Sequence, residues 1–141
     1  MSGADFLDTH ILVYAVDRDS PAKRGIAQTL VATALSRQTA VISFQVVQET
    51  LQALTRKCRV VASAADAEDY LAKVLTPLWK VHPSVAIHAR ALRIQSNQGF
   101  SFYDSLIVAS ALESGCKRLL TEDLQHGQRI EGLRIENPFL A

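Results

Sequence analysis

Four acidic side chains lie beside apolar segments of this chain, and their type suits metal-assisted chemistry. They are Asp8 in FLDTHILVYA, Glu49 in FQVVQETLQAL, Asp104 in FSFYDSLIVASAL and Asp123 in LLTEDLQHG. Apolar neighbours draw a carboxylate toward the core, where an unpaired charge is costly. Helix capping explains one such acid, but four of them spread over the chain suggest a shared cation. Hard oxygen ligands of this kind suit Mg²⁺ or Mn²⁺.

Each acid also has a simpler interpretation when it is considered alone. Asp8 can be the N-cap of the helix that begins with THILVYA. Asp104 can complete a capping box begun by Ser101, because SFYD fits the S-x-x-D pattern. Glu49 lies off the apolar stripe of its own helix and can be a solvated surface acid. Asp123 can cap a helical turn or lie in a loop.

The length and composition indicate one globular domain that spans residues 1–141. The 141 residues are 48% hydrophobic and 21% charged, which is ordinary for a globular protein. The formal net charge is +1, so nucleic-acid binding would have to come from a local basic patch. Cys58 and Cys116 are isolated in the sequence and are interpreted as reduced thiols.

The sequence shows neither a membrane span nor a signal peptide. No apolar run approaches the roughly 20 residues that cross a bilayer. The N-terminal MSGADF lacks the basic and apolar regions of a signal peptide. We therefore expect a cytoplasmic protein that has no membrane partner.

Predicted strands alternate with predicted helices along the chain. The apolar patterns predict strands at residues 4–7, 40–43, 79–82, 117–121 and 133–136. They predict helices at residues 8–16, 21–37, 44–56, 63–75 (ended by Pro77), 83–97 and 102–114. This alternation predicts an α/β fold, a three-layer α/β/α sandwich around a central parallel sheet of four to five short strands.

The predicted sheet brings the four acids to one edge. In open parallel sheets the functional crevice lies beyond the carboxyl ends of the strands. Asp8 follows the first strand, and Asp123 follows the fourth. Asp104 lies in the first turn of a helix, and Glu49 lies in the second turn of the helix that leaves strand two. One crevice can receive all four carboxylates, and a divalent cation would relieve their mutual repulsion.

The segments around these acids resemble the PIN-domain nucleases, in particular the toxin component of the bacterial toxin–antitoxin pairs called VapBC. FLDTHILVYA is similar to the opening strand, acid and helix of that family, and FQVVQETLQAL is similar to its second block. SFYDSLIVASALESGC resembles the third block, and LLTEDLQHGQRIEGLRIENPF resembles the closing strand, acid and tail. The resemblance runs over residues 6–139, and the four blocks occur in the family's order.

This resemblance implies a metal-dependent endoribonuclease with a PIN-like fold that acts as a toxin. Its catalytic, metal-binding acids would be Asp8, Glu49, Asp104 and Asp123, and its cofactor would be Mg²⁺ or Mn²⁺. The implied partners are an RNA substrate (tRNA, rRNA or mRNA), a small antitoxin protein and a second copy of the chain in a homodimer.

The residues next to these acids complete the expected site. The resemblance implies that Thr9 and Thr121 position the acids. His10 departs from the family pattern, which often has Asn after the Asp-Thr pair. It can orient Asp8, contact RNA, alter the surroundings of the bound metal or be structural. Glu122 lies next to Asp123, and the sequence leaves open an exchange of roles between them.

Two groups of basic residues are candidates for contacts with RNA phosphates. One group is Arg56, Lys57 and Arg59 at the end of the helix that carries Glu49, and the other is Arg90 and Arg93. Each group can equally be a solvated helix end or helix face.

Several alternatives to a toxin remain at this point. The chain can be an RNA-processing nuclease without an antitoxin, or a PIN fold that binds without catalysis. A phosphoacceptor receiver domain is similar in size, but it needs a second acid beside Asp8 and a reactive Asp after strand three, where this chain has His82 and Pro83. An aspartyl phosphatase needs a D-x-D motif after strand one, which is also missing.

Overall fold

The structure is a computed structural model, and it describes residues 3–56 and 63–140. Three residues discussed above, Lys57, Cys58 and Arg59, lie outside the described residues. Cys116 lies within them and is a buried free thiol. No helix in the described ranges is both long enough and apolar enough to cross a membrane.

A central sheet of six strands organises the described part of the chain. Its strands are β1 (Asp5–Leu7), β2 (Ala40–Ser43), β3 (Trp79–Val81), β4 (Arg118–Leu120), β5 (Arg129–Ile130) and β6 (Leu133–Glu136). They lie in the order β3-β2-β1-β4-β6-β5. All neighbouring strands are parallel except β5 and β6, which form an antiparallel pair at one edge.

The predicted fold class is confirmed, but the sheet has six strands rather than four to five, and one of its strand pairs is antiparallel. The sequence predicts four to five parallel strands, with no strand between residues 121 and 133. The structure adds β5 within that segment and pairs it antiparallel with β6. A strand of two residues is too short to show an alternating pattern, so its pairing depends on contacts that the local sequence does not reveal.

Helices flank this sheet and connect most of its strands. They are α1 (Thr9–Tyr14), α2 (Pro21–Arg37), α3 (Phe44–Arg56), α4 (Ala64–Tyr70), α5 (Thr76–Leu78), α6 (Val85–Gln98) and α7 (Phe102–Glu113). The predicted bounds of α2 and α3 are confirmed. The expectation that Pro77 ends a helix was wrong, because helical structure continues from α4 through a π-helical segment, Leu71–Leu75, into α5. Pro77 lies at the start of α5, where a missing N–H costs little.

The core is built on the central strands. Val41 of β2, Phe6 of β1, Leu119 of β4 and Ile135 of β6 are register neighbours across the sheet, and each is at most 1% exposed. Burial of this row of large apolar side chains stabilises the relative positions of the four strands.

The parallel pairing of β1 with β4 positions the two chain segments that follow these strands. Leu7 is the register partner of Leu120, so Asp8 and Thr121 leave the sheet side by side. The Asp8 N–H donates to the Leu120 carbonyl at 3.1 Å and extends the pairing by one residue. Helix α3 begins directly after β2, so its first turns lie at the same edge of the sheet.

Candidate active site

A cleft of about 340 Å³ at the carboxyl edge of the sheet contains all four acids that the sequence analysis selected. It is lined by Asp8, Thr9, His10, Gln45, Glu49, Gln52, Ala53, Arg56, Asp104, Ile107 and Asp123. The lining comes from the segments after β1 and β4 and from helices α3 and α7. Segments far apart in the chain therefore meet here, as the predicted topology required.

Asp8 is the most buried of the four acids, with only 6% of its surface exposed. It is the N-cap of α1, so the capping interpretation is correct, and it also lies in the cleft. The Thr9 N–H donates to its Oδ1, and the Thr121 hydroxyl donates to its Oδ2, both at 2.7 Å. Burial raises the pKa of Asp8 to about 6, although these two hydrogen bonds act in the opposite direction.

Glu49 is half-buried in the second turn of α3 and is not a free surface acid. The Thr9 hydroxyl donates to its Oε1 at 2.8 Å, and Gln45 Nε2 donates to its Oε2 at 3.3 Å. Gln45 was not among the predicted site residues. Its position four residues before Glu49 on one helix is the signal that could have identified it.

Asp104 lies in the first turn of α7, whose N-cap is Ser101. The Asp104 N–H donates to Ser101 Oγ at 3.1 Å, as the capping-box interpretation expected. Burial raises the pKa of Asp104, Ser101 partly offsets this, and the charges of Asp123 and Glu49 raise the pKa further. Asp104 therefore lies in the capping turn of α7 and also lines the cleft with the other acids.

Asp123 lines the cleft, whereas Glu122 does not line it and contacts Tyr14 and Lys23 instead. The Asp123 N–H donates to Thr121 Oγ1 at 3.1 Å, and Asp123 Oδ2 lies 3.0 Å from His10 Nε2. Glu122 accepts hydrogen bonds from the Tyr14 hydroxyl and from Lys23 Nζ. Burial alone would raise the pKa of Glu122, but these two donors outweigh it and lower that pKa.

The two groups of basic residues have different positions. Arg56 lines the cleft. Arg90 instead donates to Glu113 near the end of α7 and to Glu131 before β6, so the expectation that it contacts phosphates is not supported. Glu113 lies nine residues beyond Asp104 in α7, which places it about 14 Å farther along the helix axis. Arg93 is exposed on α6 and does not line the cleft.

The donor set fits a hard divalent cation, but the four carboxylates do not converge on one point. All four are oxygen donors, and electrostatic repulsion couples Asp104 to Asp123 and Glu49. Among residues 3–56 and 63–140, no group of three or more Asp, Glu, His or Cys side chains is arranged to hold an ion. Contacts with Thr9, Gln45 and His10 hold Glu49 and Asp123 in their present positions.

The sequence is similar to known proteins over most of its length. A model of the PIN-domain family matches residues 6–129. Ribonuclease VapC23 of Mycobacterium tuberculosis is 30% identical over 118 residues, which cover 84% of this chain and 91% of that protein.

Solved structures share the fold at lower sequence identity. A toxin–antitoxin complex from Klebsiella pneumoniae contains a chain with a TM-score of 0.67 and 17% identity, and the match covers 96% of this chain and 98% of that one. VapC20 of M. tuberculosis, described as a toxin that cleaves the sarcin–ricin loop, has a TM-score of 0.61 and 21% identity. That match covers 82% of this chain and 87% of VapC20.

The raised pKa of Asp8 predicts that metal-free protein loses stability as pH rises. The folded state binds a proton more tightly than the unfolded state, whose Asp has a pKa of 3.8. The Asp8 contribution to the free energy of unfolding is therefore largest below pH 4 and disappears as pH rises above about 6. Between pH 5 and 7.5 we expect a loss of about 1–1.5 kcal/mol from this group, measured by urea unfolding in chelator.

The Asp8→Asn variant is the matched control because it cannot ionise at this position. Its unfolding free energy should lack this decrease, so the difference between the two pH profiles isolates the contribution of Asp8 from that of every group the two proteins share. Parallel profiles for the two proteins would show that Asp8 does not titrate in this range.

Proposed function

Because this chain belongs to the PIN-domain family, we propose that it is a metal-dependent endoribonuclease and the toxin of a toxin–antitoxin pair. The observation that carries the proposal is that Asp8, Glu49, Asp104 and Asp123 all line one cleft. The ribonuclease name of a relative with 30% identity supports RNA as the substrate class. The reaction would be hydrolysis of an RNA phosphodiester bond.

The residues that would hold Mg²⁺ or Mn²⁺ are Asp8, Asp104 and Glu49, either directly or through water. Asp123 would bind a second ion or orient water. When bound, the metal would lower the pKa of a water molecule and offset negative charge on the phosphate. Each carboxylate oxygen has more than one lone pair, so an oxygen that accepts a hydrogen bond can still bind a cation.

Two threonines connect three of the four acids. Thr121 donates to Asp8 through its hydroxyl, and the same oxygen accepts from the Asp123 N–H. Thr9 donates to Asp8 through its N–H and to Glu49 through its hydroxyl. These shared contacts limit how far each carboxylate can move relative to the next, and such preorganisation is what outer contacts supply to a metal site.

Arg56 is the basic residue best placed to contact the substrate beside the acids. It lines the cleft at the end of α3, the helix that carries Glu49. An RNA phosphate near the acids would be repelled unless cations offset their charge, and a guanidinium can bind phosphate oxygens in a forked arrangement. His10 would orient Asp123 through their contact at 3.0 Å.

A small antitoxin and a second copy of the chain are the proposed protein partners. The description of the similar Klebsiella structure as a toxin–antitoxin complex supports the first. Exposed apolar side chains on or next to the flanking helices support the second. Phe44, Val85, Leu92 and Tyr103 are 39%, 87%, 58% and 64% exposed, which is high for large apolar groups.

Replacement of Asp104 or Asp8 by Asn should abolish RNA cleavage. Each change removes one negative charge from the proposed metal site, and we expect kcat/KM to fall by more than about 100-fold because changes to outer contacts alone cost 10- to 100-fold. Cleavage of total tRNA and rRNA is measured with Mg²⁺, with Mn²⁺ and with chelator. Asp66→Asn, at an exposed position in α4, is the matched control and should cleave normally.

The same variants test the toxin role in cells. Expression of the wild-type chain should arrest growth, and co-expression of a small protein from the adjacent reading frame should relieve the arrest. Asp104→Asn should not arrest growth. Unchanged cleavage in both Asn variants would rule out the proposed metal site, and cleavage without growth arrest would favour a nuclease without an antitoxin.

Leu92→Glu should weaken the homodimer without unfolding the chain. Leu92 is 58% exposed, so a charge there is tolerated in the monomer but is costly in an apolar interface. The molar mass is measured by light scattering after size exclusion over a concentration series. Leu140→Glu changes an equally exposed leucine that lies outside α3, α6 and α7 and should leave the dimer intact. A Leu92→Glu protein that dimerises like wild type would contradict an interface at Leu92.

A further inference from the structure

A second concave surface lies at the opposite edge of the sheet from the acid cleft. It has a volume of about 390 Å³ and is lined by Lys117, Arg118, Arg129, Gly132 and Arg134. Every charged residue in this lining is basic, although the formal net charge of the whole chain is only +1. We call this surface the basic depression.

The sheet places three of these arginines in one row. Arg118 of β4 is the register partner of Arg134 of β6, and Arg134 is the register partner of Arg129 of β5. Side chains directly opposite one another on paired strands lie on the same face, and like charges in such positions destabilise the pairing. The row therefore needs negative charge from another source.

The nearby acids supply only part of that charge. Arg118 donates from Nε and Nη2 to the two carboxylate oxygens of Asp5, at 2.9 and 2.6 Å. Its Nη1 donates to Glu136 Oε2 at 2.6 Å, and the other Glu136 oxygen lies 2.7 Å from Arg134 Nη2. Glu131 is paired with Arg90 at 2.9 Å. These three carboxylates are thus already engaged.

One nitrogen of Arg134 and two whole side chains around the depression remain without such partners. Arg134 Nε is buried and has no hydrogen-bond partner, which is costly for a charged donor. Within the ranges 3–56 and 63–140, Lys117 and Arg129 have no ion-pair partner, and both are exposed. An anion with several acceptor oxygens would offset the charge of the row.

We propose that the basic depression binds a backbone phosphate of the RNA substrate, away from the bond that is cut. The inference rests on the proposed ribonuclease function, because that function supplies a polyanion. Guanidinium groups bind phosphate oxygens well, and Lys117 adds a point charge. The strands between the two edges rise by about 10 Å over three residues, so the bound phosphate is not the scissile one. A folded RNA that passes around the β5 edge of the sheet contacts both surfaces.

The test removes the two unpaired cations together by combining Lys117→Gln with Arg129→Gln. Both changes are made in the Asp104→Asn protein, which is expected not to cleave the RNA. Binding of total tRNA is measured by fluorescence anisotropy at several salt concentrations. We expect roughly a 10-fold loss of affinity and a decrease of about 1–2 in the slope of log affinity against log salt concentration. Thermal stability should not fall, because the changes reduce like-charge repulsion.

Two matched proteins control for total charge and for folding. Arg37→Gln with Lys80→Gln removes the same charge from exposed positions outside the depression and should bind tRNA normally. Lys117→Arg with Arg129→Lys keeps both charges and should restore binding. Unchanged tRNA binding in the Lys117 and Arg129 glutamine protein, or an equal loss in the Arg37 and Lys80 protein, would overturn the proposal.

A competition experiment separates an RNA site from an acidic protein site. Polyglutamate at the same charge concentration should displace tRNA poorly; equal displacement would assign the depression to an acidic polypeptide and overturn the RNA site.

Failure of the proposed function is distinguishable from these results. If the wild-type chain cleaves no RNA but tRNA binding still depends on Lys117 and Arg129, the nuclease function fails and the phosphate site stands.

Discussion

The parallel pairing of β1 with β4 is the constraint on which the candidate active site depends. Leu7 and Leu120 are register partners, so the next residues of both strands emerge together. Thr121 can therefore donate to Asp8 at 2.7 Å although 113 residues separate them in the chain. A shift of one residue in this pairing would reverse which side chains face the core, so the apolar row of the sheet and the acid pair are specified together.

The buried carboxylates of the cleft lower the stability of the folded protein, as charged groups at functional sites often do. Asp8 is almost fully buried, its pKa is raised to about 6, and burial with nearby negative charge also raises the pKa of Asp104. A structure selected for stability alone would place apolar or neutral groups here, since buried unpaired charge is costly. Threonine and backbone donors reduce that cost without removing it.

Much of this architecture was predictable from short patterns, and the failures have a common physical cause. The bounds of α2 and α3 follow from apolar periodicity. The position of Asp8 and Asp123 at one edge of the sheet follows from the apolar strand that precedes each of them. Gln45, the ion pairs of Arg90 and the antiparallel strand β5 were missed or misjudged. Each depends on a partner that the fold supplies from a distant segment, such as Glu113 and Glu131 for Arg90. The assignment of Asp123 rather than Glu122 to the cleft likewise required the positions of Tyr14 and Lys23.

Acidic and basic side chains lie at opposite ends of the strands, although the chain as a whole is almost neutral. The carboxyl edge of the sheet presents four acids, and the amino edges of β4 and β6 present Arg118 and Arg134 beside Lys117 and Arg129. A net charge of +1 therefore conceals two opposed local fields and does not indicate a neutral surface. A polyanion would be repelled from the acid cleft until cations offset the charge of the acids, whereas the opposite edge would attract it. Under the proposed function, substrate capture and bond cleavage would depend on different ends of the same strands.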